Sequence, residues 1–361
     1  MSTSNTMQNV KFLVQALSET INTRATKGVL FLVIDDANVQ GLHTYAKLKK
    51  VTDNYESENK AYISTYFSDY GVKKIVVASQ HDADNGITGC LDDALALLNK
   101  VNLNGWLTAP QITSDEDKKK VADFIKSQRN DEDYPLKGVL YNYKSDCEAI
   151  VNFTADDLGY DGVISDQYAG EVAAQLCVLG ANEAITNHKA KNVTKCDVKD
   201  DNDEHVANGE LFLYNNGTNI VFSRGVNSLQ TIPTDQNELL TKIRIVEIID
   251  MIKADMREIF EASYLGKIGN SYSNRKTLIN TLNTYLKNLS NEGYLSNDVA
   301  STAQLDADAT RKYLENRGVD TDDMTDEDVL KQNLETHVFV SVTLRVMDCI
   351  EDIDLVLQYT A

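Results

Sequence analysis

The chain has 361 residues, 42% of them hydrophobic, which is enough for two compact domains or for one domain with an insertion. Its 35 Lys and Arg against 55 Asp and Glu give a formal net charge of -20, a field that repels phosphate and argues against a nucleic-acid-binding surface. No run reaches the length of a membrane span, which argues against direct membrane insertion, and the N-terminus lacks a signal-peptide pattern. Five scattered cysteines without Cys-x-x-Cys spacing fit reduced thiols, so the expected site of synthesis is the cytoplasm.

Val10-Lys11-Phe12-Leu13-Val14-Gln15 is a short strand-like run standing apart from the next strong element. Gly28 to Ile34 is continuously apolar and ends at Asp35-Asp36, as a strand buried on both faces does. Helical spacing follows from Tyr55 to Phe67, then a second buried strand from Val72 to Ala78. Between Asn85 and Asn208 the pattern alternates. Helices are expected around Leu91–Leu98, after a Ser114 cap, and from Glu171 to Ala184; strands around Gly105–Leu107, Gly138–Tyr141 and Ile150–Phe153. This alternation predicts an α/β domain with a largely parallel sheet.

The next stretch opens as a hairpin, Leu211–Tyr214 and Ile220–Phe222 flanking Asn216-Gly217. Arg224-Gly225-Val226-Asn227-Ser228-Leu229 follows. Asp235 and Glu238 read as a capping box, and apolar residues from Leu239 to Phe260 keep a helical rhythm that Gly266 is placed to end. A second helical pattern runs from Leu278 to Leu289. The acidic segment Ser296–Glu335 predicts surface helices, and alternation from Val338 to Val346 predicts a half-buried strand. Ile353-Asp354-Leu355-Val356-Leu357-Gln358-Tyr359 is again strand-like.

The order of hairpin, Arg-Gly-Val-Asn-Ser-Leu, long helix and Tyr264-Leu265-Gly266-Lys267 resembles the core of the contractile tail sheath family, found in contractile-tailed phages and R-type phage-tail-like bacteriocins (tailocins). Val226 stands where that family usually has Ile. The resemblance implies a mixed α/β (α+β) subunit whose N- and C-terminal parts, residues 21–84 and 209–352, form a tube-facing domain. Residues 85–208 would be an inserted outer α/β domain, with strand-exchanging arms at 1–20 and 353–361. It also implies a helical homopolymer of six-subunit rings, with an inner tube, baseplate and tail terminator proteins as partners and no cofactor. Assembly would occur in the bacterial cytoplasm, and lysis would release the particle.

Spacing alone favours pairing of Val10–Gln15 and Ile353–Tyr359 within their own subunit; the resemblance implies exchange with neighbours. The phosphate-loop, Gly-x-Gly-x-x-Gly and Gly-x-Ser-x-Gly patterns are missing. The five histidines are isolated, and the acidic clusters lack the glycine of a calcium loop. The basic residues Lys242, Arg244, Lys253, Arg257 and Lys267 read as a solvated helix face. The rival to a structural, non-enzymatic subunit is a cytoplasmic α/β enzyme, hydrolase-like, without a recognisable motif.

Overall fold

A computed structural model describes residues 28–232 and 238–357. The run Val10–Gln15, the Asp235 cap and residues 358–361 therefore lie outside the described residues. Contacts divide the chain into two units, one holding residues 28–249 together with 348–357, the other residues 250–347.

The first unit is built on β1 (Val29–Asp35), β2 (Gly41–Tyr45), α1 (Ser57–Thr65), β3 (Lys74–Gln80), α2 (Ile87–Leu98), β4 (Gly105–Thr108), α3 (Asp115–Asn130), β5 (Leu136–Tyr141), β6 (Ile150–Phe153), α4 (Ser165–Leu179), α5 (Asn202–Ala207) and β7 (Glu210–Leu211). Seven strands form one sheet in the order β2-β3-β1-β4-β5-β6-β7. All neighbours are parallel except the edge strand β2, which runs against β3. Strand β1 shows why the sequence reads as unbroken apolar residues. Leu30, Leu32 and Ile34 enter a core shared with α1 and α4, whereas Val29, Phe31 and Val33 enter a second core under α2 and α3. Period-two alternation between two buried faces leaves no polar position. Ser114 caps α3 as expected, its hydroxyl accepting from Asp117 N at 3.1 Å.

This sheet crosses the boundaries expected from the sequence. β1 and β3 (before residue 85) hydrogen-bond into the same sheet as β4 to β6 (after it), because the β1–β4 pairing joins them. The expected hairpin is also divided. Leu211 pairs with β6, while β8 (Leu213–Asn215) pairs with β9 (Ile220–Phe222). Phe212 is the pivot: its N–H goes to Ser223 Oγ and its C=O to Ser223 N. The turn spans residues 216–219, with Asn216 Oδ1 accepting from Thr218 N and Asn219 N.

Helix α6 (Ile243–Ile259) leads into a wide π turn, Phe260–Tyr264. It thus loses α geometry before Gly266, which takes φ +70°. The second unit continues with α7 (Tyr272–Asn291), β10 (Thr302–Leu305), α8 (Ala307–Glu315), α9 (Asp326–Lys331) and β11 (Val340–Thr343). The acidic segment is more than a surface: Leu314, Val329 and Leu334 form a small buried core of their own. The strand expected over Val338–Val346 contracts to the four residues that pair with β10, while Val346 makes a single bridge to Leu295. Among the described residues no helix is long and apolar enough to cross a membrane.

Candidate assembly interface

Open parallel sheets bind ligands where strand order reverses, at the carboxyl ends of the strands. Here that point lies beyond β1, flanked by β3 and β4, and side chains fill it. Asp36 Oδ1 accepts from Asn38 N and Val39 N, and its Oδ2 accepts from Glu56 N and Asn59 Nδ2. Asp35 Oδ1 holds Asp82 N and His81 Nδ1, both at 3.0 Å, and Gln111 Oε1 accepts from Asp35 N at 2.7 Å. Burial, reinforced by the Asp35 charge, pushes the neighbouring Cys90 thiol up to about 12. These groups brace the strand ends against one another.

The segment Arg224–Leu229 is a junction. Asn227 is fully buried; its Nδ2 donates to Leu240 O at 2.7 Å and its Oδ1 accepts from Leu229 N at 3.0 Å. Ser228 Oγ lies 2.8 Å from Ser145 Oγ and donates to Cys147 O at 3.1 Å, which ties the segment to the β5–β6 loop. Val226 bridges Lys242 on the approach to α6. Gly225 passes so near Ile185 that a Cβ would meet Ile185 Cγ2 at 3.1 Å, and its N–H donates to Thr186 Oγ1 at 2.9 Å.

Arg224 opens the segment and faces the chain's last described residues. Its Nη2 donates to both carboxylate oxygens of Asp352 at 2.6 Å, and its Nε lies 3.7 Å from Glu351 Oε2. Lys242 pairs with Asp348 and, at 3.3 Å, with Glu351. Thr186 Oγ1 donates to the other oxygen of Glu351. The Asp352 hydrogen bond raises the Arg224 pKa further. Burial opposes the Lys242 charge, but its bond to Asp348 and the Glu351 charge outweigh it, and its pKa is raised. Two of the five basic residues depart from a solvated face, Lys242 being paired and Arg244 buried, whereas Lys267 is exposed.

Beyond this root, Ile353, Leu355, Val356 and Leu357 are 75–81% exposed and belong to no strand. The expected pairing of Ile353–Tyr359 inside its own subunit is thus absent over residues 353–357. In the second unit, β10 and β11 form a sheet of two strands. Asn283 of α7 takes both backbone groups of Ala303, accepting from its N at 2.8 Å and donating to its O at 3.0 Å. A side chain thereby seals the edge of β10. Ala303 faces Val342 in the ladder, so this pair is one whose backbone groups point outward, and Val342 turns its N–H and C=O away from β10, to a side where no strand pairs among the described residues.

Residues 235–360 match the phage tail sheath C-terminal domain family. The tail sheath protein of Clostridium phage phiCD119 is 27% identical over 360 residues, spanning 97% of this chain and 98% of that one. The chain is similar to a tail sheath protein along nearly its whole length. The sheath tail protein of Desulfitobacterium hafniense superposes with a TM-score of 0.65 at 15% identity, over 82% of this chain and 93% of that one. The contracted helical sheath of the anti-feeding prophage gives 0.65 at 13% identity, over 100% and 99%. Tail sheath proteins are structural, and the hydrolase-like alternative falls with the match. Sequence reasoning singled out Arg224–Leu229, took Lys242 for a solvated residue, and missed Thr186, Asn283, Asp348 and Glu351. The acidic triplet directly before an apolar tail was the available signal. Its partner Arg224 lies 128 residues away from Asp352, which no local pattern encodes.

Proposed function

We propose that this subunit polymerises into a helical sheath of six-subunit rings around an inner tube, in a metastable extended packing. Contraction then drives the tube through a bacterial envelope. The sheath docks on a baseplate and is closed by a terminator protein; it assembles in the cytoplasm and leaves by lysis.

The observation that carries the reading is the apolar tail at residues 353–357, exposed and outside any strand. In an extended strand Ile353, Leu355 and Leu357 share one face. Burying each against a neighbour contributes about 1.5–3 kcal/mol, and each ladder bond adds about 0.5–1.5 kcal/mol net. Residues 353–359 extended span roughly 23 Å. The open edge of β11, with Val342 facing outward, is a fitting acceptor, and Val10–Gln15 is proposed as the second exchanged strand. Donor and acceptor are different surfaces, so the contact is heterologous and builds open helices rather than closed dimers. Contraction is a change between two packings of rigid subunits that stay tethered by these strands.

Electron microscopy of the purified chain at moderate salt tests the reading. Wild type should form long hollow tubes. A chain truncated before residue 353 should remain a folded monomer, and normal tubes from that truncation would refute strand exchange.

A further inference from the structure

We propose that Arg224 and Lys242 clamp the root of the C-terminal arm, and that this clamp fixes the direction in which the arm leaves its subunit and so the copy it reaches. The inference rests on the arm reading above. Two cations meet three carboxylates within five residues: Lys242 holds Asp348 and Glu351, and Arg224 holds Glu351 and Asp352. The pairs are unequal. The Asp352 side chain is 78% exposed, and an isolated pair there contributes little. The Glu351 side chain is only 7% exposed and takes two donors, from Thr186 and Lys242, with the Arg224 guanidinium 3.7 Å away as a third, ionic partner. A buried carboxylate with several donors is held firmly, and removing one donor leaves its charge uncompensated.

The frame behind the clamp is rigid. The Val226–Lys242 bridge locks both cations to one stretch of backbone, and the Gly225 N–H to Thr186 to Glu351 chain links that backbone to the arm root. Immediately beyond it the chain is exposed and makes no strand. A free tail would sample many directions and lose that freedom on docking, whereas an oriented root has already lost much of it.

The full-length chain tests this by hydrogen exchange of residues 348–352 and by the protein concentration needed for tubes. Lys242→Glu should lower protection at the root at least tenfold and raise the required concentration at least tenfold. The charge swap Lys242→Asp with Asp348→Lys should return both toward wild type, a rescue that a role in shape alone would not give. Glu351→Gln gives a milder loss in both and serves if Lys242→Glu misfolds. Removing residues 353–361 should abolish tubes while root protection stays, which separates arm from clamp. Unchanged protection in Lys242→Glu overturns the clamp whatever the tubes do. Lost protection with normal assembly overturns its directional role. Normal tubes from the truncation would sink the arm reading, and the directional role with it.

Discussion

Asn227 shows how one side chain holds a junction. It is fully buried, and its amide serves Leu240 O and Leu229 N at once. Asn227→Ala leaves two backbone groups without partners, and the expected loss is about 2–3 kcal/mol in urea unfolding. Glu171 works in the other direction. Burial raises its pKa, against hydrogen bonds from Tyr70 and Asn192 that favour the charged form. A raised acid binds its proton more tightly in the folded state. Its stabilising effect is therefore complete below the ordinary glutamate range, and is lost as pH rises through the raised value. Glu171→Gln stays neutral throughout, so its stability relative to wild type should climb with pH across that window. A gap independent of pH would show that the charge of Glu171 is irrelevant.

At the scale of elements, the sealed and open edges of the β10–β11 pair make the sharper claim. Proline cannot donate a ladder bond but is tolerated at an edge position whose N–H faces outward. Val342→Pro should therefore leave the monomer folded, with thermal unfolding near that of wild type, and should stop tubes from forming by removing an outward donor. Tubes at the wild-type concentration would mean that the arm docks elsewhere. The elements themselves were largely legible in the sequence. The β1 run, the Ser114 cap and the rhythms of α6 and α7 are local patterns written by burial and capping. Leu211–Leu213 was not legible, because one apolar run is shared between two sheets and Ser223, at the end of the returning strand, sets the division.

Across the whole molecule, the five cysteines report on packing. Cys90, Cys147 and Cys177 are buried, and burial is the main cause of their raised pKa values, Cys147 reaching about 11. Cys196 and Cys349 are partly exposed. Iodoacetamide at neutral pH should give two adducts on the native protein by mass spectrometry and five after unfolding. Cys349 sits within the clamped root, so its labelling should quicken in Lys242→Glu.

By itself the sequence determined the class of sheet, the order of its elements, the signature segment and the apolar character of the chain's last residues. Those properties follow from residue type and spacing. The tertiary structure alone decided that β1 to β7 form one continuous sheet and that the acidic segment encloses its own small core. It also decided that Arg224 faces Asp352 and that Asn283 closes one strand edge while the other has no partner strand among the described residues. Each of these depends on which distant groups meet, and long-range pairing leaves no periodic trace in the chain.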